Sequence, residues 1–127
     1  MLGLIVTTQI VSYPLFSIID SKNFVSYHKN YVNKISIIAV PIMILEFILA
    51  IVLLISMNIF LTILIFLITI LIFLSTFLIQ VPIHEKIKHK SNKYLFDMLV
   101  KTNLIRTSLW FLKCVLSFNL LYKELLI

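Results

Sequence analysis

The fold is decided by the stretch IFLTILIFLITILIFLSTFLI, residues 59–79. It contains no charged residue, no proline and no glycine. An α-helix needs ~20 apolar residues to cross the ~30 Å of hydrocarbon in a bilayer, and this stretch is long enough. Apolar runs in soluble cores are shorter, about 10–14 residues. The stretch therefore predicts a transmembrane helix.

The rest of the chain fits the same class. Of its 127 residues, 61% are hydrophobic and 13% are charged, whereas soluble domains carry roughly 25% charged residues because most of their surface faces water. We therefore predict an all-α, integral membrane four-helix bundle that forms a single transmembrane domain, residues 1–127. Its membrane helices are predicted at about 2–19, 35–56, 59–81 and 103–121, with amphipathic interfacial stretches at about 23–34 and 94–102 and a tight hairpin at Met57 and Asn58.

The net charge of +6 predicts an orientation in the membrane. The basic residues flank apolar runs instead of forming a stripe with aromatics, so no nucleic-acid partner is expected. By the positive-inside rule the two basic connections lie in the cytoplasm and both termini lie outside, in what we predict to be a bacterial cytoplasmic membrane. The lysines of these connections are Lys22, Lys29 and Lys34 in the first, and Lys86, Lys88, Lys90, Lys93 and Lys101 in the third.

Glu46 is the acidic residue that the sequence places deepest in the membrane. It lies about 11 residues into the second predicted membrane helix, ~16 Å from its start. An ionisable side chain at this depth costs at least ~2.5–3.5 kcal/mol, so it normally faces the bundle interior or a watery cavity. Ala39 and Ala50 share its face and allow a neighbouring helix to approach. A carboxylate here needs a cation to stay ionised, which Arg106 or a bound metal could supply.

Polar stripes on the other predicted helices point to a shared pocket. Asn103, Arg106 and Trp110 recur at helical spacing on the fourth helix, although an alternative for Arg106 is to snorkel to headgroups. Threonines of the third helix are expected mostly to bond their own backbone. Convergent stripes predict a polar pocket in the cytoplasmic half of the bundle. Its candidate catalytic residues are Glu46, His28 and His84, and its candidate substrate contacts are Arg106, Asn103, Trp110, Gln80, Tyr13 and Gln9.

Two histidines raise the question of a cofactor. Imidazole is the commonest metal ligand and binds haem axially, and His28 and His84 with Glu46 would form a 2-His-1-carboxylate set suited to non-haem iron. Glu46 lies ~16 Å deeper than the helix end, so a shared site requires one of the histidine-bearing connections to dip inward. The cofactor stays open between non-haem iron, haem and none. Cys114, the only cysteine, is expected to be a buried thiol.

Several short motifs carry a resemblance. They are Tyr13-Pro14-Leu15-Phe16, Phe24 with Tyr27-His28, Pro41-Ile42-Met43 with Glu46, Gln80-Val81-Pro82-Ile83-His84, and Asn103 with Arg106-Thr107 and Trp110. With these motifs the chain resembles small four-helix bacterial membrane proteins and is similar to the anthrone-oxygenase-like membrane family. That family has a proline-containing motif after its third helix and an arginine early in its fourth, which match Pro82 and Arg106; His84 stands where an asparagine is expected. The resemblance implies a lipophilic aromatic substrate reached from the bilayer, with His28, Glu46, His84 and Arg106 around it.

Three functions remain open at this point. The leading hypothesis is a small oxidoreductase acting on a lipophilic aromatic or quinone-like molecule, with Arg106 and Asn103 holding a developing anion and Trp110 stacking on the substrate. The second is a proton-coupled carrier that uses Glu46 as its titrating group, which would need a homo-oligomer for alternating access. The third is a non-catalytic accessory subunit of a larger membrane complex.

Overall fold

The computed structural model describes residues 1–57, 59–89 and 92–126, and within them it contains four helices and no strand. These are α1 (Leu2–Leu15), α2 (Ser21–Met57), α3 (Phe60–Ile87) and α4 (Lys93–Leu126). The predicted all-α bundle is confirmed, and α2, α3 and α4 are long and apolar enough to cross a membrane. At 1.5 Å per residue α1 is ~21 Å long; it ends at Leu15, before the predicted end at residue 19, and it is not one of the three helices long enough to cross a membrane.

The predicted helix boundaries need correction. The amphipathic stretch 23–34 and the membrane segment 35–56 form one helix, and so do 94–102 and 103–121. Neither junction contains a proline or a glycine, so nothing ends the helix where the surroundings change from polar to apolar. The helix predicted for 59–81 likewise continues through Pro82 to Ile87. Of the predicted hairpin, Asn58 lies outside the described residues.

The prolines shape α1 and α3 in the same way. A π-helical turn, Thr8–Ser12, precedes Pro14, and a second one, Thr76–Gln80, precedes Pro82. A proline clashes with the carbonyl one turn earlier and lacks the N–H that this carbonyl would accept, and a wider turn relieves both problems. The two π turns rotate the helix beyond them. Each carries a glutamine, Gln9 or Gln80, into the bundle.

The bundle has two packed regions. One is aromatic and lies at the end of the bundle where α1 joins α2; we call it the basic end, because Lys22 and Lys29 of α2 and Lys86 and Lys88 of α3 belong to it. The other lies further along the helices and contains Ile5, Met43, Ile68, Ile72 and Trp110. The aromatic region consists of Tyr13, Phe16, Phe24, Ile83, Ile87, Phe96 and Leu99.

Phe16 centres the aromatic region. It follows α1 directly, where a tight turn is closed by the Phe16 amide on the Tyr13 carbonyl at 3.2 Å. Its side chain is fully buried and lies edge-on to the rings of Phe24, His28 and Tyr31. Burial of this ring explains why α1 ends at Leu15 and does not continue to residue 19.

We expect Phe16→Ala to lower the free energy of unfolding by about 3–5 kcal/mol, the usual cost of emptying a packed aromatic site. Chemical unfolding in detergent, followed by circular dichroism, measures the loss. Phe118→Ala is the matched control, because Phe118 is exposed on the bundle surface, and it should change stability little. Equal losses in the two variants would contradict the packing described for Phe16.

Candidate functional site

A cavity of about 270 Å³ lies between α1, α2 and α3, and α4 contributes one residue, Arg106, to it. Its polar lining comes from all four helices and consists of Tyr13, Tyr31, Gln80, His84, Thr8, Ser36, Thr76, Glu85 and Arg106. The remaining lining continues to the level of Met43 and is apolar apart from the Met1 amine, with Met1, Leu4, Ile5, Val32, Ile35, Ala39, Val40, Ile44, Phe73, Phe77 and Val81. The cavity therefore has a polar part near the basic end and an apolar part that follows the helices into the membrane region.

The cavity opens sideways. Four of its lining residues, Val40 and Ile44 of α2 and Phe77 and Val81 of α3, are also between 43% and 59% exposed on the bundle surface. α2 packs closely against the Phe60–Ser75 part of α3, so the opening lies where the two helices separate beyond it. Apolar residues at such an opening face acyl chains when the bundle sits in a bilayer. The side opening of the cavity therefore lies between α2 and α3.

Arg106 is the buried cation at the polar part of the cavity. Only 7% of the residue is exposed. Its Nη1 donates to the Asn103 side-chain oxygen at 3.2 Å, and the Tyr13 phenol lies beside the guanidinium. Among the described residues no carboxylate pairs with it, and its Nε has no hydrogen-bond partner. A guanidinium carries five N–H donors, so this one keeps donors for a ligand.

A network of neutral side chains holds Arg106 in place. Asn103 donates its Nδ2 to the Gln9 side-chain oxygen at 2.7 Å, and Gln9 donates to the Val100 carbonyl at 3.1 Å. The network joins α1 to α4 through amides alone. It fixes the guanidinium without neutralising its charge.

Gln80 offers a second group to the cavity. Its Nε2 donates to Thr102 Oγ1 at 2.9 Å, which fixes the amide between α3 and α4. Its Oε1, and the hydroxyl of Tyr31 on α2, are buried and have no partner among the described residues. With Arg106 Nε, three unpaired polar atoms from three helices thus belong to residues that line one cavity. Buried polar atoms are normally paired, so these three lack the hydrogen-bond partner that such atoms usually have.

Three further residues form a hydrogen-bonded chain next to the cavity. Tyr13 Oη lies 3.1 Å from His84 Nε2, and His84 Nδ1 lies 2.9 Å from His28 Nε2. His28 is completely buried, stacks on Phe24, and keeps an unpaired Nδ1 within the described part of the chain. Tyr13 and His84 line the cavity and His28 lies behind them.

Glu46 belongs to a separate site, and the prediction that Arg106 is its cation is wrong. Its Oε2 accepts a hydrogen bond from Lys113 Nζ at 2.7 Å, and the Met1 amine lies 3.9 Å from Oε1. Lys113 is only 5% exposed, and its Nζ lies over the Trp110 ring, 5.0 Å from the centroid. Lys113 was not among the predicted site residues. The same signal that singled out Glu46, an ionisable residue inside an apolar run, also marks Lys113.

The residues do not fit the predicted iron site. His28 and Glu46 lie on one continuous helix, so ~27 Å of helix axis separates them at 1.5 Å per residue. Residues 1–57, 59–89 and 92–126 contain no group of three or more His, Cys, Asp or Glu side chains able to hold a metal ion. A haem ligand role fits poorly as well, because both ring nitrogens of His84 and the Nε2 of His28 are hydrogen-bonded within the protein.

Seven of the eight remaining predicted site residues fall into two groups. Tyr13, Gln80, His84 and Arg106 line the cavity, and Gln9, Asn103 and His28 support it from behind. Trp110 packs in the second core region and does not face the cavity. Cys114 is exposed, so the expected buried thiol is wrong, because Lys113 takes the inward position beside it. Tyr31 is a cavity residue that was predicted only as part of an amphipathic stretch.

Comparison of the chain with protein-family models, with curated proteins and with solved structures gave no match. The resemblance to the anthrone-oxygenase-like family therefore stays a prediction. Function has to be argued from the site itself.

Lys113→Met should lower the free energy of unfolding by about 3 kcal/mol, because it removes the cation that is hydrogen-bonded to the Glu46 carboxylate and leaves only the more distant Met1 amine, 3.9 Å away. The double variant Glu46→Gln/Lys113→Met should recover most of this loss. Unfolding in detergent of the wild type, both single variants and the double variant gives the coupling energy. Lys101→Met, at an exposed lysine of the same helix, is the control; losses that simply add would contradict a paired Glu46 and Lys113.

Proposed function

We propose that this chain binds a lipophilic aromatic molecule whose head carries an acidic or quinone-type oxygen, and that the molecule enters the cavity from the bilayer. The observation that carries the proposal is Arg106, a buried guanidinium that lines a laterally open cavity and has no acid beside it among the described residues. An oxygen anion bound in the cavity would supply the missing charge.

The uncompensated positive charge of Arg106 favours a ligand with a negatively charged or polarised oxygen. Moving a cation out of water costs several kcal/mol unless a counter-charge and hydrogen bonds compensate. Asn103 and Tyr13 offer Arg106 only neutral partners. A carboxylate, phenolate or polarised quinone oxygen would make charge-assisted bonds with the guanidinium, which are about twice as strong as neutral ones.

The residues that line the cavity indicate the chemistry of the rest of the ligand. Tyr31, Phe73 and Phe77 present aromatic rings to the cavity, and Gln80 Oε1 and the Tyr31 hydroxyl offer further polar contacts for a head with more than one oxygen. Beyond them the lining is apolar, as an alkyl tail requires. Pockets of small-molecule ligands combine a largely apolar wall with a few convergent polar groups in this way.

An oxidoreductase acting on such a molecule is the second candidate function. The observation that favours it is the imidazole pair, His84 and His28, next to the polar part of the cavity. Quinone-type oxygens take up protons as they take up electrons, so a redox site benefits from acid/base groups of this kind.

A proton-coupled carrier would depend on Glu46. This carboxylate is paired with Lys113 and lies outside the cavity lining, which favours ligand binding in the cavity over a carrier that titrates Glu46.

An accessory role in a larger complex and a homo-oligomer stay proposals, tested by the mass of the protein purified in mild detergent. We place the basic end in the cytoplasm of a bacterial cell by the positive-inside rule.

Binding of an alkyl-substituted hydroxynaphthoquinone, an anion at neutral pH, tests the proposed function. Trp110 is the only tryptophan and packs with Ile5 and Met43, both of which line the cavity, so quenching of its fluorescence reports binding. Arg106→Gln should weaken binding at least ~10-fold, since hydrogen bonds to charged groups contribute about 1.5–3 kcal/mol.

Two controls accompany this measurement. Lys101→Gln, at an exposed position one turn earlier on α4, should leave the affinity unchanged. The methyl ether of the same quinone keeps its carbonyl oxygens but cannot ionise, so Arg106→Gln should weaken its binding less than it weakens binding of the hydroxyquinone anion. Equal affinity of the hydroxyquinone for the wild type and Arg106→Gln would contradict the proposed function.

A further inference from the structure

We propose that Tyr13, His84 and His28 form a proton relay that delivers a proton to the head-group oxygen of the molecule bound beside Arg106. This inference rests on the proposed function and adds a chemical step to it. Each residue of the relay comes from a different helix: Tyr13 from α1, His28 from α2 and His84 from α3.

The geometry of the chain suits proton transfer. Both of its contacts, 3.1 Å from Tyr13 Oη to His84 Nε2 and 2.9 Å from His84 Nδ1 to His28 Nε2, are within hydrogen-bond range. Tyr13 lines the cavity beside Arg106, so its hydroxyl is the end of the chain nearest to a bound head group. His84 is bonded through both ring nitrogens, as an imidazole must be to pass a proton onward.

The far end of the chain has an unused acceptor. The His28 ring is completely buried, and its Nδ1 has no hydrogen-bond partner among the described residues, so a proton binds there when the aromatic packing over the ring opens towards the basic end. The charged groups around the two rings are Glu85 and Lys88 of α3 and Arg106 of α4, with the Tyr31 phenol of α2 close by. Glu85 and Lys88 form an exposed ion pair at 2.7 Å, so water reaches the basic end close to His28.

One proton enters and one leaves in each transfer. The chain starts with both histidines neutral, each carrying its hydrogen on Nε2. A proton from water binds His28 Nδ1, and His28 passes its Nε2 hydrogen to His84 Nδ1. His84 then passes its Nε2 hydrogen to the Tyr13 oxygen, and Tyr13 gives its own hydroxyl hydrogen to the anionic oxygen of the ligand. Both histidines end neutral with the hydrogen on Nδ1, Tyr13 is again a phenol, and the ligand is protonated.

The packing around the chain keeps competing water out. Phe24 stacks on His28, and Phe16 lies edge-on to the same ring. Tyr13 is 4% exposed and His28 is not exposed at all. A proton that reaches the ligand from the basic end therefore has the three side chains as its direct route.

A rapid drop in pH tests the relay with the same hydroxynaphthoquinone, whose anion is coloured more strongly than its acid. In the wild type the bound probe should change colour faster than it dissociates, because the relay protonates it in place. In His28→Phe, which keeps an aromatic ring against Phe24, the colour change should slow at least ~10-fold to the rate of probe dissociation. The equilibrium affinity for the probe should stay within ~3-fold of the wild type.

His89→Phe is the matched control, because His89 is an exposed histidine on the same end of the chain, and it should keep the fast colour change. Tyr13→Phe provides a second variant in case His28→Phe does not fold, and it should slow the colour change to a similar extent. A wild type that does not quench on addition of the probe overturns both the proposed function and the relay. Normal binding with an unslowed colour change in the variants overturns the relay alone.

Discussion

The organisation of this bundle depends on the buried guanidinium of Arg106. A charge in apolar surroundings is tolerated only when its hydrogen bonds are satisfied and its field is compensated. Asn103 and Tyr13 supply hydrogen-bonding partners, but the described residues supply no negative charge to it. The other buried cation, Lys113, has Glu46 at 2.7 Å. One buried cation is thus neutralised within the protein, and the other has no negative partner among the described residues.

The backbone makes room for the cavity that Arg106 lines. Long apolar helices in a bilayer pack through side-chain fit rather than through exclusion of water. Local features of each helix therefore decide where two helices separate. In α1 and α3 these features are the π turns before Pro14 and Pro82, which bring Tyr13 and Gln80 towards the bundle axis. The bulky aromatic region around Phe16 packs the basic end, and the space next to it becomes a cavity with one polar and one apolar part.

The sequence predicted the class of fold and much of the cavity, and it failed where contacts depend on helix rotation. Apolar length identified the helices, but their ends were misplaced because the amphipathic stretches lack a helix-breaking residue. The predicted topology correctly placed His28 and His84, which lie on two different connections, at one end of the bundle. The predicted partner of Glu46, Arg106, was wrong. Helical spacing predicts the face of a helix on which a residue lies, but it does not predict which residue of another helix it contacts. Lys113, three positions from Trp110, takes the inward place that was expected for Cys114.

An experimental structure of the chain in lipid nanodiscs tests most directly whether Arg106 is kept for a ligand. We expect the guanidinium to lie within ~3.2 Å of an oxygen of a bound, non-protein molecule, with that molecule extending towards the gap between Val40 and Phe77. A structure in which Arg106 reaches lipid phosphates at the membrane surface, or pairs with a carboxylate of a second copy while side chains fill the cavity, would contradict it.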